Sequence, residues 1–250
     1  MNSNYTNSVN SQNPVVSVIT AVFNGSATIE ESIKNVINQT YSNIEYIIID
    51  GGSTDDTLDI IDKYKSNIAY VSSGSDKGIY DAMNKGITAA KGEWIFFLGC
   101  DDYIFDENVF SNIFTNKALV KNNDVIYGDV FFQNAQCRYD GEYDVQKIMW
   151  QNICHQSIFY HRSVFDKFGK FSLEYPMLAD WEFNIRWFAE KKIRRSYVNQ
   201  IVALYNEKGS SANTGDPKFH ASYYKLLFIS FPFWEFLSFS IKKIFHLYKK

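Results

Sequence analysis

The stretch "PVVSVITAVFNGSATIEESIKNVINQTYSNIEYIIID" at residues 14–50 decides the fold class. It opens with a run of β-branched residues, which is typical of a strand that is buried on both faces. Apolar residues then recur at helical spacing from Ile29 to Ile37, and a second β-branched run follows at residues 44–50. A strand, a helix and a second strand in such close succession indicate a parallel α/β unit.

The same alternation continues beyond this stretch. Residues 54–64 and 79–92 predict two further helices, and residues 68–74 and 93–102 predict two further strands. Repeated strand–helix units at this spacing favour a parallel sheet that is covered by helices on both faces. The pattern then loosens, but it still predicts three strands and two helices, the second helix beginning near Asp180.

Composition places the chain among globular proteins. It has 250 residues, 46% of them hydrophobic, which is enough for one sizeable core and excludes global disorder. The net charge of −3 gives no basic field for binding nucleic acid. Cys100, Cys137 and Cys154 lack metal-ligand spacing, so reduced thiols in a cytoplasmic protein are expected. Residues 1–13 are polar and lack the features of a signal peptide, which predicts a flexible N-terminal tail.

The C-terminal residues 216–250 differ in character from the rest of the chain. From Tyr223 onward they are rich in phenylalanine, they end in lysines, and Pro232 and Glu235 interrupt them. The apolar stretch is shorter than the roughly 20 residues that a membrane-spanning helix needs. Two interpretations stay open: an interfacial helix with a basic end on a membrane surface, or a helical hairpin that packs its aromatic residues on the domain.

Polar residues collect at the ends of the predicted strands. Asn24, Asp50, Asp76 and the pair of Asp101 and Asp102 each lie at or just after such an end. In parallel α/β sheets, ligands bind at the carboxyl ends of the strands, which meet at one rim. This distribution therefore predicts a binding site at that rim.

Two adjacent carboxylates, Asp101 and Asp102, directly follow a buried apolar run. Hard cations such as Mg²⁺ and Mn²⁺ prefer carboxylate oxygens, and a cation would relieve the repulsion between the two charges. The structural alternative is that Asp102 caps a following helix. The other acidic strand ends favour the metal site over the cap.

A second group of candidates lies at residues 178–187, "LADWEFNIRW". There Asp180 could act as a general base for an incoming hydroxyl. On spacing alone the structural interpretation is stronger, because Asp180 can cap the helix and Glu182 can pair with Arg186 one turn further on. His155 is likewise more often a hydrogen-bonded structural residue than a ligand.

Taken together, four segments of the chain resemble a known enzyme family. They are residues 16–57, residues 75–102, "HQSIFYHRSVFDKFGKF" at residues 155–171, and residues 178–187. These segments are similar to family 2 glycosyltransferases of the GT-A fold. The resemblance is strongest to the bacterial branch that builds capsule, O-antigen or exopolysaccharide repeat units.

This resemblance implies a fold and a division of the chain. The fold is α/β, a Rossmann-like nucleotide-diphospho-sugar transferase built as a three-layer α/β/α sandwich with a C-terminal helical appendage. The GT-A domain is expected at residues 14–215, with a nucleotide-binding half at 14–102 and an acceptor-side half at 103–215. The helical segment at residues 216–250 follows it.

The resemblance also implies roles for the polar strand ends. Thr20, Val22 and Asn24 correspond to the wall of the donor-nucleotide site. Asp50 matches the first acidic residue of the family's "DDGS" motif, whose second acidic position is Gly51 here. The remaining donor-binding positions, around the diphosphate and the ribose, are Asp76, Lys77, Asp81, Asn84 and Asp101.

Metal binding and catalysis are implied in the same way. Asp102 matches the metal ligand of the family's DXD-type motif and would bind Mn²⁺ or Mg²⁺, while Asp101 would contact the ribose or share the metal. Asp180 matches the catalytic base, and Glu182 takes its place if the alignment is shifted by two residues. The residues expected near the acceptor or the donor sugar are His155, Gln156 and Trp181.

The implied activity is an inverting transfer of a sugar, most simply a hexose, from a nucleotide-diphosphate donor, with a UDP-sugar favoured. The acceptor is a hydroxyl of a glycan or a lipid-linked molecule in bacterial surface polysaccharide synthesis. A cytoplasmic enzyme is expected, with peripheral contact at the inner face of the cytoplasmic membrane, and residues 206–212 are expected to close over the donor. Two alternatives stay open: a non-catalytic module that binds sugar nucleotides, and a metal-dependent nucleotidyltransferase, which would want more basic residues around the phosphates.

Overall fold

The computed structural model describes residues 5–6, 16–139, 141–207 and 215–247. These residues form one mixed sheet with helices on both faces. Apart from residues 5–6, the predicted N-terminal tail lies outside the described residues, as does the predicted closing loop from residue 208 onward.

Within the described ranges the sheet has ten strands, and the chain has ten α-helices. The strands are β1 (Tyr5–Thr6), β2 (Val16–Val22), β3 (Ile44–Asp50), β4 (Tyr70–Ser73), β5 (Trp94–Gly99), β6 (Tyr103–Ile104), β7 (Val125–Phe132), β8 (Cys137–Tyr139), β9 (Ile158–His161) and β10 (Arg195–Tyr205). The helices are α1 (Ile29–Ile37), α2 (Thr57–Lys63), α3 (Ile79–Ala89), α4 (Val109–Phe114), α5 (Lys117–Asn122), α6 (Val145–Trp150), α7 (Arg162–Phe168), α8 (Ala179–Ala189), α9 (Pro217–Ser230) and α10 (Phe233–Leu247). A 3-10 turn, His155–Ser157, precedes β9.

The first half of the chain builds the parallel part of the sheet. Strands β4, β3, β2 and β5 lie side by side in this order and run in the same direction. Their register sets Val22 opposite Asp50 and Ala21 opposite Gly99. The strands therefore end together at one rim, as the sequence pattern predicts.

The second half of the chain continues the sheet with mixed pairing. Strand β9 lies antiparallel between β5 and β7, β10 runs parallel to β7, and β6 pairs antiparallel with β10. Because Phe96 of β5 pairs with Phe159 of β9, the 3-10 turn before β9 lies beside the end of β5. The pairing of Tyr103 with Leu204 likewise brings the end of β10 to the same rim.

Two hydrophobic clusters fill the space between the sheet and its helices. One contains Ile19 and Ile47 and is covered by α3, α6 and α8, and the other contains Val18 and Ile48 and is covered by α1, α2 and α4. Successive side chains of a strand point to opposite faces, so the Val/Ile runs of β2 and β3 supply both clusters. Each such side chain contributes about 1.5–3 kcal/mol when it is fully buried. The predicted three-layer α/β/α sandwich is thereby confirmed.

Helices α9 and α10 form a hairpin that packs on the domain. Phe219 of α9 stacks on Trp181 of α8 with 5.2 Å between the ring centroids, and Phe239 of α10 meets Trp150 of α6 edge-on at 5.1 Å. The side of the hairpin that carries Phe219 and Phe239 thus packs on the domain, as the second of the two interpretations predicts. In the part of the chain that the structure describes, no helix is both long and apolar enough to cross a membrane.

The hairpin is joined to the domain by a buried carboxylate at its start. Asp216 is fully buried, and one of its oxygens accepts a hydrogen bond from the backbone N–H of Phe219, which caps α9. The other oxygen accepts from the backbone N–H groups of Met177 and Leu178, just before α8, at 3.1 and 3.2 Å. One side chain therefore fixes the beginnings of both helices.

Candidate active site

A pocket of about 520 Å³ opens at the rim where the strands end. Its wall comes from the end of β2, the start of α3, the end of β5, the 3-10 turn and the end of β10. The predicted site residues that line it are Val22, Asn24, Asp76, Asp101, Asp102, His155 and Gln156.

Asp102 lies at the floor of this pocket with only 2% of its surface exposed. One carboxylate oxygen accepts the backbone N–H of Asn206 at 2.8 Å, and the other accepts the Nε2 of Gln156 at 2.7 Å. Asp101 accepts the Nδ2 of Asn206 at 3.1 Å. Strand β6 begins directly after Asp102, so the alternative that Asp102 caps a helix is wrong.

Burial raises the pKa of Asp102 to about 6, and the neighbouring charge of Asp101 adds to this shift, against the hydrogen bonds from Asn206 and Gln156. Burial also raises the pKa of the Cys100 thiol to about 12, so this cysteine stays protonated beside the acidic pair. Ionised Asp102 is therefore destabilised by burial and by the charge of Asp101, and a bound cation would offset this free-energy cost.

The space around the acidic pair depends on Gly99. A Cβ at this position would lie 2.5 Å from Oδ2 of Asp102 and 3.2 Å from Oδ1 of Asp101, so both carboxylates lie close to the glycine. Among the described residues, no third His, Cys, Asp or Glu completes a metal cluster here. Mg²⁺ and Mn²⁺ need only one or two carboxylates when phosphate oxygens and water supply the other ligands, and the pair fits such an ion.

The predicted nucleotide wall is only partly at the pocket. Val22 and Asn24 line it, and Asn24, with φ at 50°, accepts the backbone N–H of Thr54 at 2.9 Å. Thr20 does not line it, because this residue lies deeper in β2, where it is fully buried and hydrogen-bonded to the hydroxyl of Tyr46 at 3.2 Å. Thr20 thus belongs to the core rather than to the predicted wall.

Asp50 shapes the turn after β3 instead of lining the pocket. Its carboxylate is 1% exposed and accepts hydrogen bonds from the backbone N–H of Gly52 at 3.0 Å and from the hydroxyls of Ser53 and Ser73. At the neighbouring Gly51 a Cβ would lie 2.7 Å from Oδ2 of Asp76. The carboxylate of Asp76, which does line the pocket, thus occupies the place of a side chain at position 51.

Three further predicted donor residues hold helix α3 in place. Lys77 is exposed, and its backbone N–H donates to Asp81, whose side chain also pairs with Lys85 at 3.4 Å. Asn84 exchanges two hydrogen bonds with the backbone of Phe171, at 2.9 and 3.0 Å. Lys77, Asp81 and Asn84 are not among the residues that line the pocket.

Asp180 lies behind the pocket wall and is 6% exposed. One oxygen accepts the hydroxyl of Tyr80 at 2.7 Å, and the other accepts the Nδ2 of Asn152 at 2.8 Å. The Nδ1 of His155 lies 3.1 Å from that second oxygen, and His155 is the partner that lines the pocket. Because a carboxylate can only accept, Nδ1 carries the proton and Nε2 is the free basic nitrogen of the ring.

The other two predicted residues of α8 are engaged elsewhere. Glu182 forms the ion pair with Arg186 that their spacing predicts, at 2.7 Å, but Glu182 is buried rather than on the surface. Burial raises the pKa of Glu182, and the Arg186 charge opposes this shift. Trp181 donates its indole N–H to the carbonyl of Ile148 at 2.9 Å and stacks on Phe219. Neither residue lines the pocket: Glu182 is bound to Arg186 of the same helix, and Trp181 packs on α9.

His155 and Gln156 are the residues that connect the two halves of the site. The S–H of Cys154 donates to Oε1 of Gln156 at 2.9 Å, which leaves the amide nitrogen of Gln156 directed at Asp102. Sequence reasoning did not find this bridge, nor the roles of Tyr80, Asn152 and Asn206. The separation of these residues along the chain carried no signal, since tertiary packing of α3, α8, the 3-10 turn and β10 brings them together.

Comparison with known proteins identifies the family. The model of "Glycosyl transferase family 2" matches residues 17–169. A curated relative, the "PGL/p-HBAD biosynthesis glycosyltransferase" of Mycobacterium bovis (strain BCG / Pasteur 1173P2), is 36% identical over 205 residues, 80% of this chain and 80% of the relative.

Two solved structures share the fold. TarS residues 1-349 of S. aureus, in complex with UDP-GlcNAc, aligns with a TM-score of 0.74 and 19% identity over 86% of this chain and 65% of that one. The mannosyltransferase PcManGT of Pyrobaculum calidifontis, in complex with GDP-Man and Mn²⁺, aligns with a TM-score of 0.64 and 14% identity over 88% and 70%. The chain therefore belongs to glycosyl transferase family 2 and is a glycosyltransferase with the GT-A fold.

Proposed function

We propose that the protein is an inverting glycosyltransferase that moves a sugar from a UDP-sugar to a hydroxyl of a glycan or lipid-linked acceptor. The observation that carries this proposal is the bridge from Asp102 through Gln156 and His155 to Asp180 at the edge of one pocket. It links a carboxylate suited to hold a cation at the leaving diphosphate with a buried Asp–His pair suited to accept a proton. The UDP-GlcNAc complex of TarS supports the choice of donor.

The donor is proposed to lie across the rim, from the end of β2 to the end of β5. Val22, Asn24 and Asp76 form the wall for the nucleoside, and Asp101 is placed to accept a hydrogen bond from the ribose. Asp102, next to Asp101 in the pocket lining, is proposed to lie at the diphosphate. Asp50 and Gly51 act indirectly, since Asp50 holds the turn and Gly51 leaves room for Asp76.

Asp102, with Asp101 beside it, is proposed to hold Mn²⁺ or Mg²⁺. When bound, the ion would neutralise charge on the leaving diphosphate. No lysine or arginine occurs among the described residues of the pocket wall, so these residues offer the diphosphate no cationic partner. This poverty of basic residues argues against the nucleotidyltransferase alternative, and the Mn²⁺ in the PcManGT complex supports a metal.

The Asp180–His155 pair is proposed to take the proton of the acceptor hydroxyl. That hydroxyl attacks the anomeric carbon from the face opposite the diphosphate, and its proton passes to Nε2 of His155. Asp180 holds the ring through Nδ1 at 3.1 Å and stabilises the imidazolium that forms. Direct transfer of the proton to Asp180 would require one of the hydrogen-bond donors of this carboxylate to leave.

The acceptor is proposed to be an intermediate of bacterial surface polysaccharide or glycolipid synthesis, used at the inner face of the cytoplasmic membrane. Support comes from the name of the mycobacterial relative, which places that protein in PGL/p-HBAD biosynthesis.

The direct test is a panel of UDP-, GDP- and dTDP-sugars assayed for binding by thermal shift and for turnover by release of nucleotide, with and without Mn²⁺. We expect a UDP-sugar to raise the melting temperature in the presence of Mn²⁺ and to be hydrolysed slowly without acceptor. Binding without turnover, even with acceptors offered, would favour the non-catalytic module. Failure of every donor to bind would overturn the proposed activity.

A further inference from the structure

The outer side of the α9–α10 hairpin exposes large apolar side chains. We call this side the hairpin face and define it by Phe228, Phe233, Trp234, Ile241, Ile244 and Phe245. Trp234 is 75% exposed and Phe245 65% exposed, among the highest values for large hydrophobic residues of the described chain. Contiguous apolar surfaces of this kind on a soluble domain mark an interaction site.

Helix α10 is apolar on two opposite sides. Trp234, Ile241 and Phe245 recur at intervals of seven and four residues and share one side of the helix. Phe239 lies on the other side, fully buried against Trp150. Packing on the domain therefore explains Phe239 and leaves Trp234, Ile241 and Phe245 exposed on the other side of α10.

The charge of the hairpin is opposite to that of the rest of the chain. Residues 217–247 contain four lysines and one glutamate, a net charge of +3, whereas the whole chain carries −3. Lys218 and Lys225 of α9 are exposed, whereas Lys243 lies on the packed side, with its Nζ 5.4 Å from the ring centre of the buried Phe239. Aromatic residues bordered by lysines suit the interface of a bilayer with anionic headgroups.

The hairpin also touches the segment that carries Asp180. Trp181, the next residue along α8, stacks on Phe219 of α9, and Asp216 binds the backbone just before α8. A membrane or partner that binds the hairpin would therefore also lie close to the proposed acceptor side of the site. A spanning helix is not needed for this, and none is present among the described residues.

We propose that the hairpin face docks on an anionic lipid bilayer, with α9 and α10 lying in the interface. The docking stands on the exposed face and its charge alone, whereas its purpose, to present a lipid-linked acceptor to the Asp180–His155 pair, rests on the proposed function.

The test is cosedimentation of the full chain with vesicles of phosphatidylcholine alone or mixed with phosphatidylglycerol. We expect binding to the mixed vesicles that weakens with salt, because the lysines contribute through screened charge. The double variant Trp234→Ser/Phe245→Ser should bind at least about tenfold more weakly, since two exposed side chains no longer enter the interface. Phe105→Ser is the matched control, since Phe105 is 41% exposed and lies after β6, outside the hairpin.

A second variant separates charge from insertion. Lys225→Glu should weaken binding to the mixed vesicles and leave the weak binding to phosphatidylcholine unchanged. Equal binding of wild type and the double variant would overturn the docking, and so would a wild-type dimer in gel filtration that the double variant abolishes, because a second copy would then cover the face. Donor hydrolysis without lipid should be the same in wild type and the double variant. If the wild type hydrolyses no donor, this counts against the proposed function and not against the docking.

Discussion

His155 and Gln156 are adjacent in the chain, yet their side chains bind two different carboxylates, Asp180 at 3.1 Å and Asp102 at 2.7 Å. The 3-10 turn that carries them thus connects the part of the pocket proposed to hold the diphosphate with the part proposed to receive the acceptor. A displacement of this turn would disturb both carboxylates at once.

Gln156→Ala should weaken metal-dependent donor binding. The variant removes a hydrogen bond that helps to lower the pKa of Asp102, so the carboxyl should hold its proton more tightly. A hydrogen bond to a charged group is worth roughly 1.5–3 kcal/mol, which predicts a loss of about ten- to a hundredfold in affinity for Mn²⁺ with UDP. Isothermal titration calorimetry measures it. Gln151→Ala is the control, because Gln151 contacts the hydroxyl of Tyr143 and neither carboxylate, and an equal loss there would refute the explanation.

Asp180→Asn and His155→Ala should each lower transfer by about 10²–10⁴-fold while leaving the binding of UDP-sugar unchanged. Because the two side chains act as a pair, the double variant should be little slower than either single one. Transfer rates with saturating donor and acceptor provide the measurement. Normal transfer by Asp180→Asn would show that the base lies elsewhere.

Glu182→Gln is the matched control for this pair. Glu182 lies two residues from Asp180 but is bound to Arg186, so the variant should transfer sugar at nearly the wild-type rate. A rate as low as that of Asp180→Asn would instead identify Glu182 as the base.

Metal binding should depend on pH around the raised pKa of Asp102, about 6. Above pH 6 the carboxyl is ionised and available to the ion, whereas below it a proton must first be displaced. The increase in melting temperature caused by Mn²⁺ and UDP should therefore be full well above pH 6 and fade as the pH falls through it. Without metal, stability should change with pH in the opposite direction. Ionised Asp102 lowers the free energy of unfolding above pH 6, and protonation at lower pH relieves this cost. A metal-dependent shift that is constant across pH 6 would contradict the assignment.

Gly51→Ala should destabilise the protein, since the new Cβ would lie 2.7 Å from Oδ2 of Asp76. Overpacking of this kind costs about 1–3 kcal/mol. Urea unfolding should show the loss for Gly51→Ala and its recovery in Gly51→Ala/Asp76→Ala, where the opposing carboxylate is absent. If the second substitution fails to restore stability, the two residues do not compete for one space.

The parts of the fold that could be predicted are those governed by local periodicity. The Val/Ile runs of β2 and β3, and the acidic residues just after strand ends, predicted the parallel half of the sheet and Asp102 at its rim. The resemblance assigned Thr20 to the nucleotide wall, whereas the structure buries it and bonds it to Tyr46, because a motif match does not report how deep in its strand a residue lies. Lys77, Asp81 and Asn84 carry the family motif, but the side chains of Asp81 and Asn84 bind the backbone of Lys77 and Phe171.

The bridge from Asp102 to Asp180 could not be predicted from local pattern. It exists because β9 enters antiparallel beside β5 and sets the turn that precedes it against the end of that strand. Nothing in the spacing of His155 and Gln156 reports a pairing between strands that are far apart in the sequence. The same holds for Asn206, which β10 brings to the acidic pair.

Asp216 gives the hairpin a mechanical role. Since one buried carboxylate holds the start of α9 and the backbone before α8, the hairpin cannot swing on a flexible hinge without breaking bonds beside Asp180. The hairpin and α8 are thus held at a fixed angle to each other by this carboxylate. Whatever surface the hairpin rests on, the height and tilt of the pocket above it are set by the fold.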